Sequence, residues 1–330
     1  MSFLSTSSNK HVVIHAGSIG LAIISQVIVD IFVVLAEDGS VPNALFQTSS
    51  RNVSETFPLE ATMDWWSEYF SFMIDWWSKA WLVYAVVSLY RRNVLGPESC
   101  NPEIHPPVFY QMWTMINVAR MCSMPLWDRH YIFGAVLIRW IPPVLSFYML
   151  YMSYVNLNKH KAWLAINSPG VISWTQYLTQ NGLAVFAWWS LLNAVLGIGI
   201  VLRYNAGVPD PLISTLVLTI ITLYIITWFI LQCCLLTKYI CYTFGVYAIL
   251  VLGLGATFTR SYRVQDLGTN TIYCGFIMLL ITIMSLVHLV TACLYTDTPG
   301  EPLAVEPYMR FEVCETVCRP EGKIKHKLQK

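Results

Sequence analysis

The chain has 330 residues, 56% of them hydrophobic and 12% charged, about half the charged share of an ordinary soluble domain. Twenty Lys and Arg against 19 Asp and Glu leave a formal charge of +1, so there is no basic field to hold nucleic acid and none is expected as a partner. This is the composition of an all-α, multi-pass transmembrane helical bundle. Nine Cys are present, but Cys122, Cys233, Cys234, Cys274 and Cys293 lie in or beside apolar runs, and Cys314 and Cys318 sit in a charged tail, so the pattern is no disulfide framework.

A membrane span needs roughly 20 mainly apolar residues. Eight such runs follow one another, at approximately 11–36, 65–90, 107–125, 131–155, 180–203, 211–236, 239–259 and 270–295. The first follows a short polar segment, 1–10, contains Asp30 and lacks a small-residue cleavage site, so it is read as a retained helix. A polar first loop, 37–64, carries the sequon Asn52-Val53-Ser54. The third run is the weakest, since Arg120 interrupts it and Pro125 closes it; seven spans plus a re-entrant third segment is the alternative count. Only the turn Trp127-Asp128-Arg129-His130 separates it from the fourth run, where Pro142-Pro143 after Arg139-Trp140 predicts a bend. Gly197 and Gly199 in the fifth run and Gly253 and Gly255 in the seventh allow close helix approach. The tail, 297–330, ends in KIKHKLQK and reads as a flexible segment drawn to an anionic leaflet.

With the N-terminus placed in the cytoplasm, 12 basic residues fall inside, five outside and three at membrane depth, the bias that the positive-inside rule describes. Both termini are then cytoplasmic. The same orientation puts Asn52 in a non-cytoplasmic loop, where N-glycosylation is expected. The protein is therefore expected in the secretory pathway or plasma membrane, surrounded by membrane lipids, with homo-oligomerisation left open.

Thirteen Trp divide into two groups. Trp65, Trp66, Trp127, Trp163 and Trp174 fall near predicted interfaces, as an aromatic belt would. Trp76, Trp77, Trp81, Trp113, Trp140, Trp188, Trp189 and Trp228 fall deeper, where several indoles together point to an amphipathic pocket wall. Charges at depth are Asp30, Asp75, Lys79, Arg120 and Arg139, with His288 in the eighth run. Asp75 and Lys79 are spaced i,i+4 and can pair on one helix face; Asp30 can reach Arg139 or Arg120. Paired charges can act as a clasp, and charges facing a cavity can hold a ligand, an ion or a proton. A lone His288 is read as hydrogen-bonded to a neighbour. No metal site and no catalytic motif are evident, so the chain is not read as an enzyme.

The order of several short motifs resembles the tryptophan-rich TspO/MBR (translocator protein) family, in particular its long animal branch. The matching pieces are the turn-rich stretch around Pro58, Tyr69-Phe70-Ser71-Phe72 leading to Trp76, Trp77 and Tyr84, then Asn117 and Pro125-Leu126-Trp127. Gly182-Leu183-Ala184, Phe186-Ala187-Trp188-Trp189 and Leu192-Asn193 complete the set. The resemblance implies a TspO-like five-helix core over 11–205, with three additional spans over 206–296. It further implies a cavity for a porphyrin- or sterol-like ligand, with the first loop as lid, Trp76, Trp77, Trp113, Asn117, Trp188 and Asn193 as ligand-binding residues, and no required cofactor. Asp75 and Lys79 depart from the family pattern. The functional expectation is thus a sensor or carrier of a lipophilic small molecule. An ion channel or proton-coupled transporter using the intramembrane charges is the alternative, and a membrane-embedded lipid-modifying enzyme a third.

Overall fold

The computed structural model describes residues 2–37, 46–47, 53, 55–93, 96–240, 242–265 and 267–294. Asn52 and the tail 297–330 lie outside them. Helix α1 is Ser2–Glu37, so the residues expected to precede the first span are already helical. A 3-10 turn, Trp65–Ser67, leads into α2, Glu68–Tyr90. Then come α3, Pro107–Asp128, and α4, Ile132–Arg139. Helix α5, Ile141–Asn167, precedes a short helix, Pro169–Ser173, and a π turn, Trp174–Gln180, that run on into α6, Asn181–Ala206. The chain continues through α7, Asp210–Ile230, α8, Gly245–Gln265, and α9, Thr269–Leu294. Among the described residues, the strand structure is one short pair, Arg92–Asn93 against Gly96–Pro97.

Helices α4 and α5 form one bent rod, so eight rods occupy the positions of the eight apolar runs. The bend falls at Trp140, and Pro142 and Pro143 stand in the first turn of α5, where a missing backbone N–H is tolerated. Two expectations change. Pro125 lies inside α3 and does not close it; the 22-residue helix is about 33 Å long, which matches a hydrocarbon core of about 30 Å and favours a full span over a re-entrant segment. The seventh rod begins at Gly245, later than its apolar run, because a π turn, Leu231–Leu235, and the short helix Thr237–Ile240 intervene.

Among the described residues, five stretches, Lys10–Ala36, Ile132–Asn167, Pro169–Ala206, Asp210–Cys234 and Thr269–Leu294, are long and apolar enough to cross a membrane on length and composition alone. Helices α2, α3 and α8 are less apolar, since they carry Asp75 and Lys79, Arg120, and Arg260 and Arg263. The outer surface is apolar as well. Val13, Ile24 and Val34 on α1, Leu223 on α7 and Phe276 and Leu286 on α9 are all exposed, a continuous apolar exterior that water would not tolerate and lipid does. The chain is an integral membrane protein.

Helix α6 is the hub of the bundle and contacts α2, α4, α5, α7 and α8. Leu183, Val185, Phe186, Leu192 and Val195 are buried around its whole circumference, as expected of a helix that is apolar on all sides. At Gly199 a Cβ would meet Val217 Cγ2 at 2.8 Å and Leu59 Cδ2 at 3.0 Å, so α7 and the end of the first loop approach α6 as closely as they do only over glycine. The core continues from Ile19 on α1 to Met284 on α9. Alternation of the eight rods puts residues 55–64, the 129–131 turn and Gly207 at one end, called the loop end below. The start of α1 and the end of α9 lie at the other.

Candidate functional site

The last part of the first loop folds back over the loop end and is held there by the three final rods. Backbone N–H groups of Glu60 and Ala61 donate to Asp210 Oδ1 and Ser214 Oγ on α7, both at 3.2 Å. Asn270 Nδ2 donates to Glu60 Oε2 at 2.7 Å. The Asp64 N–H donates to the Ala256 carbonyl at 3.1 Å, and the Asp64 carboxylate, which caps the 3-10 turn through the Trp65 N–H, is paired with Arg263 at 2.7 Å. Leu59 and Ala61 are buried beneath these bonds. The final rods thus fix the loop in position relative to α6.

Between this loop segment, α2, the α3–α4 corner, α6 and α8 lies a cavity partly open to the exterior, with about 850 Å³ of space when the solvent at its mouth is included. Its aromatic lining is Trp65, Trp127 and Trp189, and Leu196 and Ile200 extend the apolar wall. Most of the rest of the lining is polar or charged, and includes Glu55, Asp64 and Glu68 as well as the groups that follow. Ser71 accepts the indole N–H of Trp189 at 2.9 Å, the Asn193 amide donates to the Trp189 carbonyl at 2.8 Å, and Arg139 and Arg260 bring guanidinium groups. Small-molecule sites are concave and combine apolar and aromatic walls with fixed polar groups; this concavity has both, with polar groups forming a larger share of its lining than is usual. Trp127, expected in the interfacial belt, is only 4% exposed because the α3–α4 turn, in which His130 has a left-handed φ of 58°, folds it inward.

Of the six residues expected to hold a ligand, Asn193 lines this cavity. Trp76 points outward and is 68% exposed. Trp77 packs on Gly182 and donates its indole N–H to the Leu178 carbonyl at 2.9 Å, joining α2 to the start of the α6 rod. Trp113 is fully buried edge-to-face against Trp81 and Phe186. Asn117, also fully buried, donates to Ser25 Oγ on α1 at 3.0 Å. Trp188 packs against Trp228 and Phe147. Trp188 and Trp189 are neighbours on one helix, about 100° apart, so only one of them can face a given cavity, and here it is Trp189. Sequence reasoning named Trp189 as a deep Trp and quoted it and Ser71 within the family motifs, but assigned neither of them, nor Trp65 or Leu196, to the site.

The intramembrane charges pair differently from the sequence expectation. Lys79 Nζ lies 2.9 Å from Asp30 Oδ2, across α2 and α1, and stacks over Trp76. Arg120 Nη2 lies 2.9 Å from Asp75 Oδ2, across α3 and α2. The i,i+4 spacing puts Asp75 and Lys79 on one face, yet each meets a neighbouring helix that supplies an opposite charge. Arg139 reaches neither acid; its guanidinium lies 4.1 Å from the centre of the Trp127 ring and opens on the cavity. His288 is buried, accepts the Gln232 amide at 3.0 Å and packs on Phe244 and Tyr247.

At the opposite end, Glu103 approaches His11 at 3.5 Å and His15 at 3.7 Å, while His105 contacts Ser153 Oγ at 3.0 Å. Burial, reinforced by nearby His15, pushes the His105 imidazole down to about 3. Among the described residues no group of three or more His, Cys, Asp or Glu side chains is placed to hold a metal ion. No protein family, no curated protein and no solved structure matches the chain.

Proposed function

We propose that this protein is a membrane-embedded binder of a lipophilic small molecule, acting as a sensor or carrier without chemistry of its own, with its site in the loop-end cavity. The observation that carries the reading is the convergence of Trp65, Trp127 and Trp189 on one cavity beneath a loop held in place by α7, α8 and α9. The resemblance of the first five spans to the TspO/MBR family supports the same reading and points to a porphyrin- or sterol-like ligand. Of the charges that motivated a channel or transporter, Asp30, Lys79, Asp75 and Arg120 are joined in two cross-helix pairs, which favours a structural role for them and leaves binding as the better-supported function. The orientation proposed has both termini in the cytoplasm of a secretory-pathway or plasma-membrane protein, on the strength of the basic-residue distribution.

Intrinsic Trp fluorescence tests the binding reading. Porphyrins and sterols added to the purified protein in nanodiscs should give a saturable change, and Asn193→Phe, which puts a ring into the cavity beside Trp189, should remove it. No saturable change with any member of the panel, or an unaltered response in Asn193→Phe, would overturn the proposal.

A further inference from the structure

The strongest unexplained feature is the position of Arg139. A guanidinium stays charged at any physiological pH, and a charge at membrane depth is costly unless it is paired or faces a polar space. Elsewhere in the bundle the cost is met by pairing: Asp30 with Lys79, Asp75 with Arg120, Arg203 with Asp210 and Asp64 with Arg263. Arg139 has no carboxylate partner among the described residues and is held by its stack on Trp127, with the cavity before it. The indole face offers the guanidinium a cation–π contact but no hydrogen-bond acceptor, so its N–H groups can serve a planar or tetrahedral oxyanion.

The rest of the lining is of mixed charge. Arg260 contributes a second guanidinium, and Ser71, Thr62 and Asn193 bring hydroxyl and amide groups. Three acids also border the cavity: Asp64, which is paired with Arg263, and Glu55 and Glu68. We infer that the cavity takes an amphipathic anion, whose acidic head lies against the Arg139 guanidinium while its apolar body lies along Trp127, Trp189 and Leu196. This rests on the binding reading above and adds the charge of the ligand to it. The acidic head has two sources, a free amphipathic acid or the phosphate of an anionic membrane lipid, and both present the same chemistry to Arg139.

The test compares matched acid and neutral probes in phosphatidylcholine nanodiscs, read by Trp fluorescence: protoporphyrin IX against its dimethyl ester, and cholesteryl sulfate against cholesterol. The wild-type protein should bind the acid of each pair about tenfold or more tighter, the size of one charge-assisted hydrogen bond. Arg139→Gln should bring that ratio close to one, and Arg139→Lys, which keeps the charge, should retain part of it, with melting temperatures confirming that both fold. Replacing a third of the lipid by phosphatidylglycerol assigns the source: competition with the acid probes identifies a lipid phosphate, and undiminished binding identifies a free acid, either result upholding the Arg139 site. Equal binding of acid and neutral probes by the wild type, or a preference that survives Arg139→Gln, would refute the inference while leaving the cavity reading standing. If none of the four compounds binds saturably, the cavity reading falls and the inference falls with it.

Discussion

Lys79 on α2 is joined to Asp30 on α1, with Nζ and Oδ2 2.9 Å apart, although Asp75 stands one helical turn away on its own helix. Asp75 is taken by Arg120 of α3 at the same distance. The two pairs make α2 the middle member of a three-helix set, clasped to α1 by its cation and to α3 by its anion.

This arrangement predicts a definite pattern of couplings. Removing one member of the better-buried Asp75–Arg120 pair, as in Arg120→Met, leaves a charge without its partner and should lower stability by about 3–5 kcal/mol. The Asp75→Asn/Arg120→Met double change should be distinctly milder. A cycle on Asp75 and Lys79 should show a coupling clearly smaller than those of the Asp75–Arg120 and Asp30–Lys79 pairs. Chemical or thermal unfolding in mild detergent measures all three; strong coupling between Asp75 and Lys79 would refute the observed pairing.

The contact between Trp77 and Gly182 is a second structural test. A Cβ at position 182 would lie 2.7 Å from Trp77 Cδ1, and the indole cannot retreat without losing its bond to the Leu178 carbonyl. Gly182→Ala should therefore cost about 1–3 kcal/mol, the usual range for overpacking. Trp77→Leu in the same background should recover part of the loss, and a melting temperature unchanged by Gly182→Ala would contradict the contact.

Much of the architecture was legible in the sequence because the bilayer imposes it. A run of apolar residues long enough to cross has few alternatives to a helix, and Pro142-Pro143 marks a break that any helix must respect. Tertiary choices were not legible. The spacing of Asp75 and Lys79 shows that they share a face, but which helix lies opposite each depends on packing that local pattern does not encode. Adjacent indoles pose the same difficulty: Trp188 and Trp189 are equivalent in composition, and only the position of α2 and the first loop decides that Trp189 lines the cavity. Asn193 was named through the family resemblance, and it lines the cavity because it lies one helical turn after Trp189. The inward position of Trp127 depends on the tight turn at His130, which an interfacial-belt argument does not foresee.

Acid should destabilise the protein through His105, which lies just ahead of α3. Its imidazole is held at about 3 against an ordinary 6.5, so between those values the unfolded chain carries a proton that the folded chain does not. Stability then rises with pH across that window and is lost as pH falls below about 6.5. Melting temperatures should be level above pH 7.5 and decline on acidification, and His105→Gln, which does not titrate, should flatten the decline. Equal slopes for the two proteins would show that His105 is not the group responsible.

The orientation makes a separate prediction at Asn52. Expressed in a eukaryotic secretory pathway, the protein should show a glycosidase-sensitive mass shift that Asn52→Gln removes. An epitope on the tail should be reached by antibody only after permeabilisation. A tail accessible on intact cells would reverse the topology.

Photo-crosslinking tests the central claim most directly. A photoreactive porphyrin or sterol is bound to the protein in nanodiscs, irradiated and mapped by peptide mass spectrometry. The account predicts label on the peptides that carry Trp65 and Ser71, Trp127 and Arg139, and Trp189 and Asn193, competed by unlabelled ligand and absent in Asn193→Phe. Label spread over the outward faces that carry Trp76, Leu223 and Phe276, with no competition, would contradict it.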